Sequence, residues 1–308
     1  MSNRGTAGRP AIICIGLSTL DHVWQADRLP GTDLSKVRAN HYVTAGGGMA
    51  ATAAVTIARL GGEAHFWGRA GDDPAGHIMR DELAAHGVNA DGFRLFEGAR
   101  SSASGVFVDG EGERHIVNFR GHGLPDAADW LPLEKIASAD AVLSDPRWPE
   151  GTEAAFAAAR RSGIPTVLDA EVADADIFVR LLPLTDHAIF SQPALAGFEA
   201  TDRTAALDHV AGRYGCRICA VTLGEDGVEW REDGESHRLP AFTVAAVDTN
   251  GAGDVFHGAY AFAIGTGMAT GEAMTFASAA AALKCTRPAG RAGIPAFDEI
   301  TSFQRNRR

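Results

Sequence analysis

Short apolar runs alternate with longer stretches of helical periodicity along most of the chain. Runs at 11–17, 63–68, 141–143, 166–170, 187–190 and 217–222 are apolar with little alternation, the pattern of parallel strands covered on both faces. Between them, 49–60, 74–86, 150–161, 204–214, 254–265 and 272–285 read as helices, the first and last rich in alanine. This order predicts an α/β fold with an open, mostly parallel sheet.

Two segments break the rhythm. Residues 23–44 and 101–120 are more polar and alternate with period two. Ser104-Gly-Val-Phe-Val108 and Arg114-His-Ile-Val-Asn-Phe119, joined across Asp109-Gly-Glu-Gly-Glu113, read as a hairpin. Together the two segments predict a small antiparallel sheet standing out as a lid. Residues 1–22, 45–100 and 121–308 would form the main domain. A lid with free edges could pair with a second copy into a homodimer.

The 308 residues are 45% hydrophobic and 22% charged, a globular balance that excludes extended disorder. The net charge of −11 and the lack of a Lys/Arg block argue against a nucleic-acid partner, but a local basic pocket could still take an anionic small molecule. No apolar run approaches a membrane span, and residues 11–17 run into Ser18-Thr-Leu-Asp21 without a cleavage site. Cys216-Arg-Ile-Cys219 has redox or metal spacing, but it leads into an apolar run and has no second pair nearby. Burial is the simpler reading, and a cytoplasmic location the expectation.

Asp248-Thr-Asn-Gly-Ala-Gly-Asp254 precedes the helix at 254–265. Small residues at a helix start let backbone N–H groups approach an anion. Asp254 would then stand beside that anion, an electrostatically costly place unless it must take a proton from an attacking hydroxyl. A capping aspartate after a glycine-rich turn is the alternative. His257, one helical turn on, reads as a packed residue.

Read in full, this heptapeptide resembles the DTxGAGD signature of the PfkB (ribokinase-like) sugar kinases. Ala45-Gly-Gly-Gly48 with its following helix, Gly61-Gly62 and Gly68-Arg-Ala-Gly-Asp-Asp73 resemble that family's first signature. The resemblance implies a three-layer kinase domain with a β lid, ATP and magnesium as cofactors, and Asp254 as catalytic base with Gly251, Ala252 and Gly253 holding phosphoryl charge. It places Asp21, Gly46, Gly47, Gly48 and Thr52 at the sugar, and Thr222, Gly224 and Gly227 at the nucleotide. It also implies a potassium site at Asp248 and the carbonyls of 287–293, where Arg287 and Arg291 could instead meet phosphate or lie on the surface. Two departures stand out. Ser191-Gln-Pro-Ala194 replaces the Asn-x-x-Glu that helps organise magnesium, and Thr52 replaces an asparagine familiar from ribokinases.

Within the family, Gly46-Gly-Gly-Met-Ala-Ala-Thr-Ala-Ala54, Asp145-Pro-Arg-Trp148, Gly253-Asp-Val-Phe-His-Gly258 and the run from Leu283 to Pro295 resemble bacterial kinases that phosphorylate 6-deoxy-6-sulfofructose on its 1-hydroxyl. That resemblance implies Lys36, Asn118 and Arg147 at a sulfonate, a permanent anion suited to guanidinium, ammonium and amide donors. A kinase for fructose, ribose or a nucleoside, or a silent sugar-binding regulator, is the alternative.

Overall fold

The computed structural model describes residues 9–31, 36–111, 114–199, 202–288 and 290–306. The large sheet contains β1 (Ala11–Gly16), β4 (Glu63–Gly71), β5 (Asn89–Phe96), β8 (Ala141–Ser144), β9 (Thr166–Ala170), β10 (His187–Ser191), β11 (Ile218–Thr222), β12 (Val228–Glu232) and β13 (Glu235–Leu239). The small sheet contains β2 (Thr19–Ala26), β3 (Ala39–Gly47), β6 (Ala103–Val108) and β7 (Arg114–Phe119). The described helices are α1 (Met49–Arg59), α2 (Pro74–Ala85), α3 (Pro149–Ser162), α4 (Ala175–Leu181), α5 (Gln192–Phe198), α6 (Arg203–Tyr214), α7 (Ala252–Gly265), α8 (Thr270–Cys285) and α9 (Phe297–Arg305).

The large sheet runs β13-β12-β11-β10-β9-β8-β1-β4-β5. It is parallel from β11 to β5, with β12 and β13 added antiparallel at one edge. Successive residues of β1 feed opposite cores: Ile12 and Cys14 join one, Ile13 and Ile15 the other. That two-sided burial explains the continuous apolar runs. Helices start and stop where local chemistry requires. Asp73 caps α2 through its bond from the Gly76 N–H (2.9 Å) ahead of Pro74, and α3 and α6 end on left-handed Gly163 and Gly215.

β4 lies on one side of β1 and β8 on the other. Chain direction across the sheet therefore reverses there, and a crevice opens at the carboxyl ends of β1 and β8. Fully buried Asp145, just after β8, ties the crevice together. Its carboxylate accepts the N–H groups of Leu17 (2.8 Å), Ala50 (3.1 Å) and Arg147 (2.8 Å), so one side chain fixes the exit of β1, the start of α1 and the loop bearing Arg147.

The small sheet, ordered β3-β2-β6-β7, confirms the predicted hairpin but is not wholly antiparallel: β2 and β6 run parallel. Its strands also reach further than the sequence pattern indicates, β3 ending at Gly47 and β2 starting at Thr19. The Ala45-Gly46-Gly47 end of β3 carries no alternation to read. The edge strands β5, β12 and β13 and the short helices α4, α5 and α9 were likewise not expected.

Candidate active site

Strand register builds one wall of the candidate site. Asp21 pairs with Ala45 on β3 and with Ser104 on β6, and Ser104 pairs with Asn118 on β7. Three polar side chains thus stand in one row across the small sheet, all lining a cavity of about 440 Å³ over the crevice. Asn118 Nδ2 donates to Ser104 Oγ (3.1 Å). Asp21 Oδ1 is buried with no hydrogen-bond partner among the described residues, an acceptor aimed at a ligand donor. Burial, with the charge of Glu82 adding, raises its pKa against the opposing pull of Ser104 and Arg291.

The expected glycine run and Thr52 form the floor. A Cβ on Gly47 would stand 2.2 Å from Asp21 Oδ2, so the close approach of β3 to that carboxylate requires glycine. Arg291 lies beneath, 7% exposed. It donates to Glu82 Oε2 (2.6 Å), Gly47 O (2.8 Å) and Thr52 Oγ1 (3.2 Å). It is neither a surface charge nor free for phosphate, whereas Arg287 pairs with Glu299 at 2.7 Å.

Gly251, in the left-handed region at φ 73°, is the N-cap of α7, and no side chain caps that helix. Its first-turn N–H groups and positive dipole end therefore face an anion position. The Ala252 N–H is already bonded to Thr249 O (3.2 Å), which narrows the expected three-amide cradle toward Gly251 and Gly253. Asp254 follows in the first turn and lines the cavity with Gly251. Withdrawal from water, with repulsion from Asp169, lifts its carboxyl to about 7 despite the favourable charges of His257 and Arg291. A base titrating near neutrality suits proton abstraction. His257 is buried, with Nδ1 2.8 Å from Gly253 O and 3.3 Å from Asp169 Oδ2, the packed role expected of it.

Arg147 lines the same cavity, with Nη1 donating to Val172 O at 2.7 Å. Arg120, just beyond β7, lines it too and was not anticipated from sequence. Lys36 does not join them: it is exposed and lies outside the cavity wall. Thr222 ends β11 beside Ser191 of β10, and Gly224 and Gly227 shape the turn that follows. These three lie outside that cavity.

Ser191 and Ala194, where the sequence departs from the Asn-x-x-Glu motif, are engaged otherwise. Ser191 Oγ caps α5 through Ala194 N (3.3 Å) and donates to Glu171 Oε1 (3.0 Å), while Ala194 offers no ligand side chain. Among the described residues, no three His, Cys, Asp or Glu side chains converge as a metal site. A potassium site at Asp248 does not fit. Lys284 Nζ donates to both Asp248 O and Oδ2, 3.1 Å each. The four cysteines form no disulfide and, apart from half-buried Cys285, are buried; burial pushes the Cys216 thiol up to about 12.

A family model described as pfkB family carbohydrate kinase matches residues 9–296. The chain belongs to the PfkB family of carbohydrate kinases. Ribokinase from Haemophilus influenzae is 27% identical over 96% of this chain and 98% of its own length. Fructokinase from Klebsiella pneumoniae is 33% identical over 68% of this chain and 74% of its own. A crystal structure from Agrobacterium tumefaciens, described as a candidate ribokinase, matches at TM-score 0.93 with 36% identity over 97% of this chain and 98% of that one. The PfkB membership and ribokinase-like fold expected from the motifs therefore hold. Arg120, Glu82 and Lys284 were missed at the sequence level. Lys284 had a readable signal, a lone charge in the run Ala279-Ala-Ala-Ala-Leu-Lys-Cys285.

No helix among the described residues is long and apolar enough to cross a membrane.

Proposed function

We propose that this ATP-dependent sugar kinase phosphorylates 6-deoxy-6-sulfofructose on its 1-hydroxyl. The observation carrying the reading is the polarity of the cavity: the base Asp254 on the α7 side, and Arg147, Arg120 and Asn118 also on its wall. The other two cations there are internally matched, Lys284 by Asp248 and Arg291 by Glu82. Arg147 instead hydrogen-bonds a neutral carbonyl, which leaves guanidinium donors for a permanent anion. Lys36 is assigned no contact with that anion; it belongs to the lid.

In this mechanism Asp21 and the β3 glycines orient the sugar hydroxyls. Asp254 takes the proton of the 1-hydroxyl, whose oxygen attacks the γ-phosphorus in line while the bond to the bridging oxygen breaks and ADP leaves. The Gly251 and Gly253 amides, with the α7 dipole, offset charge on the moving phosphoryl group. Thr222, Gly224 and Gly227 take the nucleotide. Magnesium would ride on the nucleotide phosphates and water, and no step here is assigned to it.

We propose also that residues 23–44 and 101–120 close as a lid that excludes water, and that a second copy covers its outer face. Tyr42, Val117 and Phe119 are 50–68% exposed there, and Trp24 stacks between Tyr42 and Phe107.

The sulfonate assignment is tested with Arg147→Met. The KM for sulfofructose should rise at least about tenfold while the KM for fructose changes little, as for a lost charge-assisted contact. Equal changes for both sugars would contradict it, and kinetics favouring fructose throughout would point to a neutral-ketose kinase.

A further inference from the structure

Lys284 is 1% exposed yet forms part of the cavity wall. Lysines ordinarily run their ammonium out to water. This one is held against the loop that leads into the anion cradle. Nζ donates to Asp248 O and Asp248 Oδ2 at 3.1 Å each. The other carboxylate oxygen, Oδ1, accepts the N–H of Asn250 at 2.9 Å, and Asn250 adjoins Gly251, the N-cap of α7. The same segment is pinned to the end of α8 by the Val247 and Asp248 N–H groups, both donating to Cys285 O (2.7 and 3.1 Å). One buried charge therefore fixes the backbone from Asp248 to the first turn of the helix that presents Asp254. Its place in the last turn of α8 adds the favourable negative end of that helix.

A carbonyl and a carboxylate oxygen are the donors a hard monovalent cation takes. Here a tethered ammonium, of the same charge, holds both. We propose that Lys284 is a built-in monovalent cation. It is a positioning residue that sets the Asp248–Asp254 loop for phosphoryl transfer and makes the enzyme indifferent to potassium. The inference rests on phosphoryl transfer at this loop and not on which sugar is used.

The test compares wild type with Lys284→Met, which keeps the stem but lacks the ammonium and its charge. ADP release from ATP with sulfofructose and with fructose is read directly in ~100 mM potassium, ammonium or tetramethylammonium chloride, at matched ionic strength. Wild type should vary by less than about twofold across the three salts. The variant should lose about tenfold or more in tetramethylammonium, as when a supporting group is removed, and recover most of that in potassium or ammonium. Its melting temperature should also rise in those two salts and not in tetramethylammonium, while the wild type shows no such difference. The melting comparison reads the inference even if neither sugar turns over.

Strong potassium activation of the wild type would overturn the proposal. So would a fully active variant blind to all three salts, or a folded but slow variant that neither cation restores. Should the variant fail to fold, the wild-type salt comparison decides alone.

Discussion

Asp254 concentrates the account at the scale of one residue. Its carboxyl stands at about 7 because burial and the neighbouring Asp169 both penalise ionisation. As the proposed base, Asp254 would have to be deprotonated, so kcat/KM should fall as pH drops below about 7. Asp169→Asn removes the like charge and should move that acid limb to lower pH; an unmoved limb would assign it to another group. Asp254→Asn should cut kcat by ~10²–10⁴-fold, the usual worth of a positioned base. The same substitution has a stability consequence of definite sign. A carboxyl raised in the folded state destabilises the fold when ionised, fully above the folded value and not at all below the unfolded one. The variant should therefore melt higher than wild type near pH 8, and the gain should vanish toward pH 4, as thermal melts at the two pH values would show. That Gly251, Gly253 and Asp254 stand together at the start of α7 was legible in the sequence, since they sit in a contiguous motif. The Ala252 amide, Arg120 and the Arg291–Glu82 pair were not. Arg120 and the Arg291–Glu82 pair depend on contacts across the chain that no local spacing encodes, and the Ala252 amide is taken by Thr249 O three residues before it, in a turn the motif does not spell out.

Among the elements, the alternation of apolar runs located the main helices and every parallel strand of the large sheet but the edge strand β5 to within a few residues, because two-sided burial leaves a continuous pattern. The antiparallel edge β12–β13 and the parallel β2–β6 pairing escaped, because register and direction there come from the sheet already formed. Close helix packing is another property that composition hinted at and contacts explain. A Cβ on Gly258 of α7 would lie 2.7 Å from Ala53 O and 2.9 Å from Thr56 Cβ of α1. Gly258→Ala should therefore destabilise the protein by about 1–3 kcal/mol, the range for overpacking a tight core. Urea denaturation would measure it, and an unchanged midpoint would mean that α1 and α7 can separate without cost.

For the whole molecule, the crevice between β1 and β8 and the row Asp21–Ser104–Asn118 on the small sheet enclose one cavity. Specificity, lid closure and chemistry would then be set in a single volume. If the aromatic outer face of the small sheet is covered by a second copy, light scattering should give twice the chain mass, and Val117→Asp with Phe119→Asp should return it to one; a monomeric wild type would leave that face to another purpose. The family was readable from motifs spread along the chain, but the sugar was suggested by resemblance alone, because Asn118, Arg120 and Arg147 on the cavity wall lie on separate elements. The most direct test of the central claim is the ratio of kcat/KM for 6-deoxy-6-sulfofructose to that for fructose with ATP and magnesium. A cavity that offers the guanidinium groups of Arg147 and Arg120 to a permanent anion predicts a ratio of at least about a hundredfold, the worth of one or two charge-assisted hydrogen bonds that fructose cannot make. A ratio near or below one would contradict the sulfonate reading and leave a kinase for neutral ketoses.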